Sequence, residues 1–275
     1  MNNEELKFHA RNIRRNIIRQ VSNAKSGHPG GSLGAAEIVT LLFFEIMDIT
    51  PENATRETVE IPDRDRFVLS KGHTSPLLYA ALAEKGIIPE EELLTFRKVN
   101  SRLQGHPNMN LTPGVDMSTG SLGQGLAAAD GMAIANKLAG KDHRIYCLIG
   151  DGECEEGEIW EAAMAAAHYK SDNLCAIIDV NGLQIDGRTA DVIGPEPFDE
   201  KFKAFGWHVI NVDGHDYDAL RAAFEEAKNT KGKPTALIAK TVKGKGVSFM
   251  ENQASWHGVA PNAEQTEIAL KELEG

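Results

Sequence analysis

Leu6, Ala10, Ile13, Ile17 and Val21 recur at intervals of four, three, four and four residues, the stripe of an amphipathic helix. SGHPGG at 26–31 then stops that helix. A second helix is predicted from about Gly34 to Met47. Beyond it the pattern changes to short, continuously apolar or β-branched runs: RFVLS at 66–70, RIYCLI at 144–149, LCAIID at 174–179, WHVINV at 207–212 and TALIAKT at 235–241. Each reads as a strand. Helical stretches at 122–139, 158–170 and 216–229 lie between them, and AEQTEIALKELEG ends the pattern as a short charged helix. Strands that are apolar at every position are covered on both faces. The alternation therefore predicts an α/β fold, a three-layer sandwich around a mainly parallel sheet, in one domain spanning 1–275.

Composition narrows the partners. With 29 Lys plus Arg against 40 Asp plus Glu, the formal net charge of -11 works against a nucleic acid backbone or an anionic membrane surface. An anionic ligand must be held locally. No apolar run approaches the roughly 18 residues of a spanning helix, and the polar start MNNEELKFHARNIRR lacks the apolar core of a signal peptide, so a cytoplasmic protein is expected. Cys147, Cys154 and Cys175 form no CxxC pair; two lie in apolar runs, where a buried reduced thiol is expected. Cys154 follows a glycine-rich loop and stays unassigned.

In an open parallel sheet, ligands bind beyond the carboxyl ends of the strands. Here those ends run into KGH, with His73, then GDGE, VNGLQIDG and KGKG, and many of the 26 glycines sit in these turns. Asp151 in GDGE and Asn181 in VNGLQ each follow a separate predicted strand, so a βαβ unit makes them neighbours. A carboxylate and an amide oxygen are hard ligands suited to Mg²⁺ or Ca²⁺. Gly150 and Gly152 permit a sharp turn, and N–H groups near a helix start at about Gly157 are expected to face an anion. A dinucleotide site needs GxGxxG after the first strand, and the nearest string, GSLGQG at 120–125, has the wrong order.

GDG followed about thirty residues later by Asn after an apolar strand resembles the thiamine diphosphate motif. SGHPGGSLG at 26–34, DRFVLSKGH at 65–73, GHPN with TPGVDMSTGSLGQG at 105–125, and SWHG at 255–258 further resemble the transketolase N-terminal domain across nearly the whole chain. That resemblance implies a thiamine diphosphate- and Mg²⁺-dependent ketol transferase with a thiamine diphosphate-binding fold. It assigns the metal to the Asp151 and Asn181 side chains and the Leu183 carbonyl. It puts His28 and His257 at the reacting sugar, and His73 and His106 on the cofactor side and in the substrate channel. Gly120, Leu122, Gly152, Asn181 and Ile185 would border the cofactor, and Glu156 would meet an acid of a neighbouring chain. The activating glutamate of this class lies on a pyrimidine-binding domain, expected on a partner chain in an α2β2 assembly acting on sugar phosphates. His9, His143, His168, His208 and His215 match no motif and read as structural; Glu153 and the basic KTVKGKG at 240–246 stay open. A deoxyxylulose phosphate synthase or a 2-oxo acid dehydrogenase α subunit would share GDG and Asn181 but not SGHPGGSLG and SWHG. A non-enzymatic metal-binding scaffold would keep Asp151 and Asn181 only by accident.

Overall fold

The computed structural model describes residues 1–54 and 63–274. Helix α1, Asn3–Ala24, starts at a capping box in which Asn2 and Glu5 satisfy each other's backbone N–H groups at 2.9 Å, and it ends at Lys25 with φ 51. Its predicted stripe from Leu6 to Val21 is entirely buried. The next helix begins earlier than the sequence suggests. Pro29–Gly34 forms α2, followed by α3, Ala36–Leu41, and a π-helical turn, Leu42–Ile46. Proline in a first turn is compatible with a helix, and the glycines that read as a stop are there for close packing. A Cβ on Gly30 or Gly34 would lie 2.9 Å from the carbonyl oxygens of Trp256 and Val242.

Five parallel strands form the sheet: β1 Arg66–Leu69, β2 Ile145–Gly150, β3 Leu174–Val180, β6 His208–Asp213 and β7 Thr235–Lys240, in the order β1-β2-β3-β7-β6. Between β3 and β6 come a small hairpin, β4 Leu183–Gln184 with β5 Gly187–Arg188, and the short helix α7, Thr189–Val192. Successive strand residues serve opposite faces, as the pleat requires. Phe67, Leu69, Tyr146, Leu148, Ile177 and Leu237 pack with α1, α3, α4 (Ser75–Glu84) and α9 (Tyr217–Asn229). Val68, Cys147, Ile149, Ala176 and Ile178 pack with α5 (Gln124–Leu138), α6 (Gly157–His168) and α8 (Phe198–Ala204). The result is the expected α/β three-layer arrangement. The final predicted helix is α10, Ala263–Glu272. No helix among the described residues is long and apolar enough to cross a membrane.

One buried network ties the first helices to the loop after β7. Arg14 grips Glu37 through two bonds of 2.7 and 2.6 Å; His215 Nδ1 lies 2.9 Å from the same carboxylate, and His215 Nε2 accepts the Val242 N–H at 2.9 Å. Accepting that N–H leaves Nδ1 as the nitrogen that donates to Glu37. Burial pushes the Glu37 carboxyl up, but Arg14 and the His215 hydrogen bond outweigh it and bring it down to about 2.

Replacing Glu37 with Gln leaves the Arg14 guanidinium buried and uncompensated, and urea unfolding at pH 7 should show a loss of about 3–5 kcal/mol. The Glu37 carboxylate is depressed in the folded state, so its contribution is present above the unfolded value near 4.3 and is lost as pH falls toward about 2. The gap between wild type and variant should close across that window.

Candidate active site

The carboxyl ends of β2 and β3 lie side by side, with Gly150 opposite Asp179. That register delivers Asp151 and Asn181 to one turn. One Asp151 oxygen accepts the Gly152 N–H at 2.8 Å; the other accepts the N–H groups of Asn181 and Gly182 at 2.9 and 2.6 Å. Asn181 Oδ1 accepts the Leu183 N–H at 3.1 Å, and the Leu183 carbonyl accepts from Lys243 Nζ at 3.1 Å. The three residues singled out as metal ligands therefore share one small volume. Helix α6 starts at Gly157, where the sequence puts it, with no side-chain cap; a 3₁₀ turn, Gly152–Glu155, separates it from the Asp151 turn, in which Asp151 itself takes the Gly152 N–H.

Charge organises this turn. Asp179 is fully buried, with one oxygen bound by Lys71 Nζ and the other by the Thr241 hydroxyl. Burial raises the Asp179 carboxyl, but Lys71 outweighs it and the group titrates below its ordinary value. Asp151 has no such close cation among the described residues. Burial, then the Asp179 charge, push it up to about 6 against the pull of its N–H donors and Lys243. Burial lowers the Lys243 ammonium to about 8 despite Asp151. Neither lysine was separable from solvated loop residues in the sequence, although each stands directly before a glycine beyond a strand. Glu153 was equally unreadable. It accepts from Ser70 Oγ at 2.5 Å and from the N–H groups of Gly123 and Gly150 at 3.0 Å, so one buried carboxylate joins the ends of β1 and β2 to the loop before α5.

Three of the candidate histidines meet. The ring centroids of His28, His73 and His257 are 5.1–5.4 Å apart, with His73 and His257 stacked. Lys243 Nζ lies 3.2 Å from His257 Nδ1. Burial first, then neighbouring positive charge, lowers His28 to about 4 and His257 to about 3; burial and the other two imidazoles lower His73 well below its ordinary value. All three are neutral near pH 7. His28 Nδ1 and Gln184 Oε1 are buried with no partner among the described residues.

His106 is exposed, and its ring rests on Gly120, where φ is +141 and a Cβ would lie 2.8 Å from His106 Cγ. Leu122 and Ile185 are not core residues: they are 39% and 65% exposed. Glu156 is exposed at the start of α6 and packs against Gly123. The remaining histidines serve elsewhere. His9, His143, His208 and His215 pair with Glu84, Asp63, Glu226 and Glu37 at 2.7–2.9 Å, and His168 meets Tyr169 edge-on. All three cysteines are buried, Cys154 included. A cleft of about 940 Å³ lies beside the Asn181 turn, between it and the ends of β6 and β7. A larger one, about 1340 Å³, surrounds Arg144 and Tyr146 at the opposite end of the sheet, away from the grouped Asp151, lysine and histidine chemistry.

Residues 7–274 match the family described as transketolase, thiamine diphosphate binding domain. A 6-deoxy-6-sulfo-D-fructose transketolase subunit from Clostridium sp. (strain MSTE9) is 44% identical over 270 residues, 98% of this chain and 96% of that protein. An apulose-4-phosphate transketolase subunit from Phocaeicola vulgatus is 43% identical over 270 residues, covering 98% and 94%. The crystal structure of transketolase from Campylobacter jejuni superposes with a TM-score of 0.90 at 37% identity, over 99% of this chain but 43% of that one.

Because the folded state raises the Asp151 carboxyl, its ionisation opposes folding, and stability should fall as pH rises from about 4 through about 6. Asp151→Asn removes that charge while giving up about one hydrogen bond. Without added metal or cofactor the variant should melt higher than wild type at pH 7, by the equivalent of about 1–2 kcal/mol. A lower melting temperature across pH 6–8 would contradict this reading of the turn.

Proposed function

Because the chain belongs to the family of transketolase thiamine diphosphate-binding domains, we propose that it is the cofactor-holding subunit of a two-chain transketolase, moving a two-carbon ketol unit from a ketose phosphate to an aldose phosphate. The observation that carries this reading is the pairing, on one edge of the sheet, of the Asp151 turn with a cluster of neutral imidazoles.

The donor set suits the implied groups. Carboxylate, amide and carbonyl oxygens from Asp151, Asn181 and Leu183 are ligands for Mg²⁺, and Ca²⁺ would accept the same atoms. Lys71, Lys243 and the raised Asp151 make a setting in which added positive charge relieves a buried carboxylate and added negative charge finds ammonium groups. His28 Nδ1 and Gln184 Oε1 are buried polar atoms lacking partners among the described residues, as expected of groups that contact a ligand. Bound thiamine diphosphate supplies carbanion chemistry that no side chain offers. The protein's own part is positioning and proton traffic. We place His73, Gly120, Leu122, Gly152, Asn181 and Ile185 around the cofactor, His106 in the approach channel, and His28 and His257 at the sugar. A neutral imidazole can accept a hydroxyl proton from one nitrogen while donating from the other.

Leu122 and Ile185 expose apolar surface beside this site, and Glu156 is free to meet another chain. With relatives of this length named as subunits, they support a partner chain, which we take to carry the pyrimidine-binding domain and the activating glutamate; an α2β2 assembly in the cytoplasm is part of the same proposal. Those relatives are named for different sugars, so the two-carbon transfer is the step in common and the remote end of the sugar is free to vary.

Two measurements test the assignment. In the assembled enzyme, His28→Ala and His257→Ala should bind thiamine diphosphate and Mg²⁺ with unchanged affinity by titration calorimetry while losing transfer by about 10²- to 10⁴-fold. Parallel loss of cofactor binding would move that histidine to the diphosphate side. The purified chain alone should give no ketol transfer between a ketose phosphate and an aldose phosphate, and turnover should appear on mixing with the pyrimidine-binding chain. Appreciable turnover by the chain alone overturns the two-chain reading.

A further inference from the structure

Arg97 takes no part in the network described so far, yet it stands in an expensive conformation. Its φ is 59, a left-handed setting disfavoured for a residue with a side chain, and its N–H is held by the Leu103 carbonyl at 2.9 Å. The guanidinium reaches into the sugar end of the site. Nη1 donates to Ser26 Oγ at 2.8 Å, at the start of the segment that carries His28. On its other side lies Gly105, the residue before His106, where a Cβ would come within 2.9–3.0 Å of Nε, Cζ and Nη2. No carboxylate among the described residues pairs with it; the nearby Glu92 is occupied by Arg102 at 2.6 and 2.7 Å. Its Nε is buried without an acceptor among the described residues. The guanidinium is half-buried over the Phe96 ring, 5.5 Å from its centroid, but the left-handed backbone opposes stability, so the arrangement is not explained by fold stability alone.

We propose that Arg97 is a positioning residue for the sugar-side histidines, bridging Ser26 to Gly105 so that the loops bearing His28 and His106 form one wall. This rests on the placement of His28 and His106 at the sugar and its channel. The fixed charge acts along with the bridge. After burial, Arg97 is the next influence holding both imidazoles in the neutral form. The other groups facing His28 are His73, His257, His106 and Lys243; Gly120, beneath His106, adds no charge.

Ring-labelled histidine NMR of the full chain reads this directly, without cofactor or partner. In Arg97→Met the titration midpoints of His28 and His106 should rise by about half to one pH unit. Arg97→Lys, which keeps a charge but not the two-sided bridge, should restore the midpoints. Gly105→Ala offers a milder displacement, because its backbone is outside the left-handed region and the clash is with the end of a flexible side chain; it should raise both midpoints in the same direction. In the assembled enzyme, Arg97→Met should raise the sugar KM and lower kcat at unchanged thiamine diphosphate affinity, with Arg97→Lys recovering the pH profile but not the full kcat. Midpoints unmoved in both Arg97→Met and Gly105→Ala overturn the proposal, and if Arg97→Met does not fold, Gly105→Ala decides it. Failure of the two-chain assembly to transfer ketol groups would instead strike the functional reading and leave the NMR result standing.

Discussion

Lys71 and Asp179 form an ion pair almost wholly removed from water, with side-chain exposures of 3% and 0%. Such a pair persists in a low-dielectric interior only when the remaining hydrogen-bonding capacity of both groups is met. Here Thr241 binds the second Asp179 oxygen and the Gly31 carbonyl accepts from Lys71 at 3.2 Å. The end of β1, the end of β3, the start of the loop after β7 and helix α2 are thereby fixed to one point. Burial raises the proton affinity of Asp151 first, and the Asp179 charge adds to it. A carboxylate that the protein itself finds hard to ionise is one that gains from an external cation. The ion pair thus sets the frame of the turn and adds to its demand for positive charge.

The larger elements were readable because burial on both faces leaves an unbroken apolar run, as in β2 and β3. The Asp151–Asn181 neighbourhood was readable for a related reason: adjacent parallel strands align their ends to within a residue, so the residues just beyond them meet. The hairpin Leu183–Arg188 was not, since strands of two residues carry no periodic signal. Helix α2 was missed because Pro-Gly-Gly reads as a stop, whereas its glycines admit the backbone of another loop. Lys71, Glu153 and Lys243 look like solvated residues in glycine-rich turns. Only the convergence of several strand ends buries them, and convergence is a property of topology rather than of local sequence.

The imidazole cluster illustrates the same division. Each histidine sits in a recognisable motif, but nothing in the motifs states that His28, His73 and His257 pack ring against ring at 5.1–5.4 Å. Buried first of all, and then packed against one another beside Lys243, no one of them easily acquires a proton. Their shared neutrality is a collective property. Single imidazoles at the surface would titrate near pH 6.5 and lose acceptor capacity in mild acid.

The strand order has a consequence for biosynthesis. Strand β7 lies between β3 and β6, yet it is translated after both. Until residue 235 emerges, the hydrogen-bonding edge of β3 has no partner on that side, and neither Thr241 nor Lys243 exists to complete the polar turn. At ribosomal speeds of about 5–20 residues per second, the interval from the end of β3 to the start of β7 is roughly 3–10 s. For that time the nascent chain presents a long apolar strand edge, the kind of surface on which chains aggregate. The order of synthesis, and not only the packing of the finished sheet, therefore bears on how the chain reaches its fold.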